Sequence, residues 1–187
     1  IDGLDGLAIG NVIAASITIC LINLLSTNYF SFFVSLSVLS SSLAFLRFNK
    51  YQAKIYMGDG GSYFLGSLLA FLVLFSSNSN YNFDGNNLNV IPFIPFFILF
   101  IPIVDMTVVI FQRILDGNSP FYPDRGHLHH RLLRIGFSHK NTVKIIYLFS
   151  LFFSSLAFLF LEIKNLFFLT FLIKLFVIFQ LFKIKRK

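Results

Sequence analysis

Six long apolar runs, at residues 7–25, 30–46, 62–78, 90–111, 143–161 and 166–182, constrain this chain more than any other feature. At about 1.5 Å rise per residue, a helix of such length covers roughly 25–33 Å, close to the hydrocarbon thickness of a bilayer. No water is available there to satisfy backbone N–H and C=O groups, so each run must be helical. A soluble amphipathic helix would interrupt these runs with polar residues every turn. The chain is 56% hydrophobic and 12% charged, whereas a soluble domain is nearer a quarter charged, at roughly 25%. The expected fold is an all-α, polytopic membrane helix bundle with about six transmembrane helices.

The charges orient that bundle. Arg47, Lys50, Lys54, Arg113, Arg125, Arg131, Arg134, Lys140, Lys144, Lys183, Lys185, Arg186 and Lys187 fall on one side, against Lys164 on the other, with Lys174 inside a span. The positive-inside rule makes the crowded side cytoplasmic. The formal charge of +7 is therefore a topology signal rather than a nucleic-acid signature, and no nucleic-acid partner is expected. The Asn-rich stretch from Ser76 to Asn89 becomes an external loop. The many phenylalanines are expected to face lipid. Ser35, Ser37, Ser40, Ser41 and Ser42 are small enough for close helix packing. Cys20 lies alone in an apolar run, so no disulfide framework is expected. The sequence begins inside a motif, which suggests the C-terminal part of a longer protein, with residues 1–187 forming a single membrane domain.

Three polar motifs sit at the cytoplasmic mouths of the spans. In Asp2-Gly3-Leu4-Asp5-Gly6 the two acids are three residues apart and would share a face on a helical turn. The glycines beside them would let an anionic ligand or a metal approach the backbone. Simple capping of the next helix is the alternative, because acids favour helix N-termini. In Met57-Gly58-Asp59-Gly60-Gly61-Ser62 a glycine-rich turn precedes a span, and free N–H groups at a helix start suit an anion. An acid at that place makes sense with Mg²⁺ between it and phosphate. An ordinary glycine turn is the alternative.

The third motif, Pro123-Asp124-Arg125-Gly126-His127-Leu128-His129-His130-Arg131, lies in a loop too long to be a mere connector. Residues 127–137 suggest a short amphipathic helix in the interface. Leu128, Leu132 and Ile135 would lie on one face, and His127, His130, Arg131 and Arg134 on the other. Histidines and arginines together suit a phosphate clamp. A solvated face and a zinc site are the alternatives, the latter weakened by the absence of a nearby cysteine. Asp105 lies eight residues before Arg113, about 12 Å deeper along its helix. An acid at that depth is a functional candidate by default, with a structural hydrogen bond as the alternative. Pro102 is expected to kink that helix.

With these residues in hand, the chain resembles the polyprenyl-phosphate N-acetylhexosamine-1-phosphate transferases, glycosyltransferase family 4. The resemblance rests on Ile1-Asp2-Gly3-Leu4-Asp5-Gly6-Leu7-Ala8, on Met57 to Ser62, on Pro102 to Asp105, and on Asp124 to Leu132. The His-Leu-His-His form is closer to the WecA/TagO branch than to the muramoyl-pentapeptide branch. The family's upstream Asp-Asp pair and the Asn before its first motif do not fall within these 187 residues.

The resemblance implies Mg²⁺ held by Asp59, with Asp2, Asp5 and His129 as catalytic residues. It implies Tyr56 stacked on uracil, and Arg125, His127, His130 and Arg131 binding the diphosphate and sugar. The implied partners are a UDP-N-acetylhexosamine, undecaprenyl phosphate and the lipid bilayer, with a homodimer left open. The implied location is the bacterial cytoplasmic membrane, multi-pass, with the site facing the cytoplasm. The competing expectations are a non-catalytic fragment, and a transporter that would use the intramembrane charges Asp105 and Lys174.

Overall fold

The computed structural model describes residues 3–78, 93–121, 126–160 and 171–172, and every element among them is helical. The helices are α1 (Leu7–Leu25), α2 (Tyr29–Asn49), α3 (Gly58–Asn78), α4 (Phe93–Ile98), α5 (Phe100–Leu115), α6 (Leu128–Arg134) and α7 (His139–Phe160). Among the described residues, four helices are long and apolar enough to cross a membrane: α1, α2, α3 and α7. The Asn-rich segment from residue 79, Lys174 and most of the sixth expected span lie outside the described residues.

Helix α1 is the central element. Leu7, Ile9, Ile13, Ile19 and Ile22 are all buried, as expected of a helix that is apolar all round. It packs most extensively against α2, then against α7 and α3. Its contact with α2 is made by a seam of small residues. Ser31, Ser35, Val38, Ser42, Leu46 and Asn49 are the buried positions of α2, spaced by three or four so that they form one stripe. Ser35 and Ser42 thus serve close packing as expected. Ser37, Ser40 and Ser41 do not, being exposed on the outer side. Each instead donates its hydroxyl to a carbonyl four residues back, at 2.8–2.9 Å, which satisfies it without a partner in lipid. Phe30, Phe33, Phe64, Phe71 and Phe75 are exposed on α2 and α3, on faces suited to lipid.

The span expected at 90–111 is two helices. The break falls at Leu99, three residues ahead of Pro102. Proline has no N–H to donate to the carbonyl of residue 98, and its ring crowds that turn. The ladder continues on either side, with Leu99 N–H bonded to Pro95 O at 3.0 Å and Ile103 N–H to Leu99 O at 3.1 Å. Helices α3 and α7 both begin four residues earlier than the hydropathy suggests. In α7 the polar residues His139 to Thr142 form the first turn, where Ser138 accepts from the Asn141 N–H through its hydroxyl at 3.4 Å.

Helix α2 runs opposite to α1 and α7, which gathers the start of α1, the end of α2 and the start of α7 at one end of the bundle. Gly6 has φ +80°, a left-handed conformation that favours glycine, and it turns the chain into α1. Its N–H donates to Asn49 Oδ1 at 3.1 Å, and its carbonyl accepts from the Tyr147 hydroxyl. One turn on, a Cβ at Gly10 would overlap the Tyr147 ring. At the opposite end Asn23 Nδ2 donates to Ser76 Oγ at 2.8 Å, tying α1 to α3.

This packing makes a contrast between two glycines. Gly10→Ala is expected to destabilise the bundle by about 1–3 kcal/mol through overpacking, because the Tyr147 ring is held by its own hydrogen bond. Gly66→Ala in α3, where a Cβ would meet nothing within 4 Å, is expected to raise stability by roughly 0.5–1 kcal/mol through helix propensity. Thermal unfolding in detergent checks both, and equal midpoints for the two variants would refute the α1–α7 packing argument.

Candidate active site at one end of the bundle

The site is built on α6, a two-turn helix that folds back onto the bundle. Leu128 and Leu132 pack with Leu7, Ile101, Val143, Ile146 and Tyr147. The third residue of the expected apolar face, Ile135, is 72% exposed, because α6 stops at Arg134 and Gly136 turns the chain away with φ +105°. Docking of α6 therefore rests on two leucines rather than three, and polar contacts supply the rest.

The main polar contact comes from α5. Asp105 is buried, yet both of its oxygens are engaged. Oδ2 lies 2.9 Å from His127 Nδ1, and Oδ1 accepts the Leu128 N–H at 2.6 Å. The buried acid of α5 thus meets the histidine motif directly, which the sequence places 22 residues away. Arg131 braces the same loop. Its Nε donates to Gly126 O at 2.6 Å, and its terminal nitrogen donates to Gln112 Oε1. In this structure its guanidinium holds protein groups rather than standing open as a clamp.

His129 points inward. It is 4% exposed, its ring lies against Gly3 where no Cβ would fit, and its Nε2 has no hydrogen-bond partner among the described residues. Burial, and then the neighbouring His130, lower its pKa from the ordinary 6.5 to about 4. The His129 and His130 rings are 4.2 Å apart between centroids, tilted by 39°, and His127 stacks on His129 at 5.9 Å. Three histidines in four residues therefore occupy three environments: carboxylate-paired, buried, and half-buried.

The acids are placed differently from each other. Asp5 precedes α1, in the turn closed by Gly6, and so is not part of a helical face. Its Oδ2 accepts from the Gln52 and Ala53 N–H groups at 3.1 and 3.2 Å, fastening the loop between α2 and α3. Asn49 fastens the same loop by donating from Nδ2 to Ile55 O at 2.8 Å. Asp59 lies in the first turn of α3 rather than in a turn before it. It is exposed, and among the described residues its carboxylate has no partner. Tyr56 is 74% exposed beside it in sequence. Asp2 and Arg125 lie outside the described residues. Sequence reasoning had no signal for Asn49, Tyr147 or the Asn11–Ser150 contact between α1 and α7.

A cleft of about 550 Å³ opens beside this cluster, between α1, α3 and the α4–α5 break. Its walls are mostly apolar, from Val12, Met57, Leu65, Leu69, Ile98 and Ile101, with Asp105 and His127 among the few polar lining groups. Among the described residues, no three His, Cys, Asp or Glu side chains form a preassembled metal cluster. A single open carboxylate still fits Mg²⁺, which usually takes one or two carboxylates and completes its shell with phosphate oxygens and water. Structurally this is a helical membrane protein whose acid–histidine site adjoins an apolar cleft.

Comparison with known proteins agrees with that class. The family model described as Glycosyl transferase family 4 matches residues 1–77. A Bacillus subtilis protein named "Probable undecaprenyl-phosphate N-acetylglucosaminyl 1-phosphate transferase" is 41% identical over 157 residues, covering 82% of this chain and 41% of the relative. The Mycobacterium leprae decaprenyl-phosphate N-acetylglucosaminephosphotransferase is 37% identical over 161 residues, covering 79% of this chain and 40% of its own length. A Haemophilus influenzae undecaprenyl-phosphate alpha-N-acetylglucosaminyl 1-phosphate transferase is 34% identical over 93 residues, half of this chain and 24% of the relative. No solved structure matches. The chain belongs to glycosyl transferase family 4. It spans about two fifths of the length of the first two relatives, 41% and 40%.

The buried imidazole gives a pH prediction. Below about 6.5 the unfolded chain binds a proton at His129, while the folded chain does so only near 4. The unfolded state then holds more protons, so the contribution of His129 to stability is present above pH 6.5 and lost as pH falls from there through 4. An NMR titration of His129 is expected to give a midpoint near 4. A midpoint at or above about 6, near the ordinary imidazole value, would show that the ring is open to water.

Proposed function

We propose that this chain forms part of a membrane enzyme that transfers N-acetylglucosamine 1-phosphate from its UDP derivative to a polyprenyl phosphate. The observation that carries the reading is the acid–histidine cluster set directly beside a largely apolar cleft. A polyprenyl phosphate is an amphiphile, and an apolar wall with polar groups at its rim suits both of its parts. The names of the relatives supply the sugar and the lipid classes.

In the reaction a non-bridging oxygen of the polyprenyl phosphate forms a bond to the β-phosphorus of the UDP-sugar. The bond from that phosphorus to the bridging oxygen breaks, and UMP leaves with the electron pair. Both reactants are anions, so the protein's task is positioning and charge stabilisation. His127, His130 and Arg125 are proposed to hold the diphosphate and sugar, and Tyr56 to stack on the uracil. Arg131 supports this arrangement by bracing the loop through Gly126 and Gln112. Asp2, Asp5 and His129 are proposed at the reacting centre, where His129 offers a neutral nitrogen and Asp5 fastens the backbone of Gln52 and Ala53 in the loop that leads to Asp59. Asp59 would hold Mg²⁺, which when bound supplies positive charge to the phosphoryl oxygens. The basic residues in the loops at this end of the bundle support a site that faces the cytoplasm of a bacterial membrane, where a nucleotide sugar is accessible.

The test uses the full-length protein in membranes with Mg²⁺, undecaprenyl phosphate and radiolabelled UDP-N-acetylglucosamine. Label is expected in the lipid phase with an equal release of UMP, and Asp59→Asn is expected to lower the rate about 100-fold or more. Label from a different UDP-sugar alone would keep the reaction and change the donor. Silence with every UDP-sugar, in folded protein, would sink the reading.

A further inference from the structure

The Asp105–His127 pair goes beyond the reaction just described, although its meaning for turnover rests on that reading. Asp105 is 7% exposed, on a helix whose neighbouring buried positions are Ile101 and Val109. A carboxylate in such surroundings persists only when both oxygens are satisfied. Here one is met by an imidazole nitrogen and the other by a backbone N–H, both from the start of α6. No side chain of α6 itself caps that helix, so α5 supplies the acceptor that α6 lacks.

The same carboxylate decides the state of His127. An oxygen that can only accept forces the imidazole to carry its proton on Nδ1. Nε2 is then the nitrogen available to a ligand, on a ring that lines the cleft beside Asp105. Its lone pair can take up a proton, and the resulting imidazolium, held by the carboxylate behind it, can donate a charge-assisted hydrogen bond to a phosphoryl oxygen. We propose that Asp105 is a positioning residue, which from its buried place on α5 fixes both the seat of α6 and the tautomer of His127, so that Nε2 is presented to a phosphoryl group in the cleft.

Asp105→Asn separates these two duties. Its amide oxygen can still accept the Leu128 N–H, which leaves its NH₂ facing His127. The reverse amide orientation would set two donors against each other and is disfavoured. His127 must then accept through Nδ1 and carry its proton on Nε2, with α6 still seated. The experiment is ¹⁵N NMR of histidine-labelled full-length protein in lipid at about pH 8.5, well above the ordinary imidazole value, with His127 assigned by its loss in His127→Gln. The wild type is expected to show the Nδ1–H tautomer and Asp105→Asn the Nε2–H tautomer. An Nε2–H wild type, or the same tautomer in both proteins, overturns the proposal.

Turnover supplies the second readout. Asp105→Asn is expected to lower kcat/KM by about 10–100-fold, the usual scale for a residue acting through another. The Asp105→Asn/His127→Ala double variant is expected to be no slower than His127→Ala alone. Losses that simply multiply, or a His127→Ala variant with unchanged kcat/KM, overturn it. A wild type without transfer activity would sink the functional reading, while the tautomer result would still stand or fall by itself.

Discussion

A bilayer interior offers no hydrogen bonds, and the placement of polar side chains in this bundle follows from that constraint. Asn23 sits fully buried at one end of α1 and reaches both Ile19 O and Ser76 Oγ at 2.8 Å. The outward serines of α2 turn back on their own helix. Asn11 of α1 takes the Ser150 hydroxyl of α7. At the other end the same demand has a larger consequence. Asn49 cannot remain unpaired, and its two amide atoms join the turn at Gly6 to the loop at Ile55. That loop leads straight into the first turn of α3, so the position of Asp59 is set by hydrogen bonds made elsewhere for structural reasons.

The glycines at the start of α1 belong to the same arrangement. Gly3, Gly6 and Gly10 are spaced by three and four, and each meets a residue from α6 or α7. Gly3 makes room for the His129 ring, Gly6 lends its carbonyl to Tyr147, and Gly10 makes room for the Tyr147 ring. Read along the sequence, glycines beside two aspartates suggest ligand access to the backbone. In space they first admit side chains from more than a hundred residues away. A substitution there acts on the packing of α6 and α7 against the start of α1, so the acidic motif and the histidine motif form one structural unit.

Much of this was legible from local pattern. Hydropathy located α1 to the residue, because its ends are marked by Gly6 and Ser26 and its interior is apolar throughout. It misplaced the starts of α3 and α7, where helical first turns are built from glycines or polar residues that a hydropathy window excludes. Pro102 correctly signalled a distortion, but the lesion lies at the carbonyl its missing N–H would have met, so the break appears upstream at Leu99. The histidine motif was visible as a cluster of residue types. The differing environments of its three rings were not, because Asp105 and Gly3 come from distant parts of the chain and carry no periodic signal of their own.

The acid inside α5 was the residue whose role the sequence left evenly balanced between lining a site and making a structural bond. The geometry removes the need to choose. A helix of seven residues has too few internal hydrogen bonds to hold its own orientation, and its two leucines fix its depth better than its rotation. A buried carboxylate that grips both the first backbone N–H and the first histidine ring fixes rotation as well. The cost of placing Asp105 in an apolar helix is offset only when α6 is docked, so the seating of the short helix and the satisfaction of the charge are one event. Whatever His127 presents to the cleft is therefore determined by the buried acid of α5 rather than by the loop that carries it.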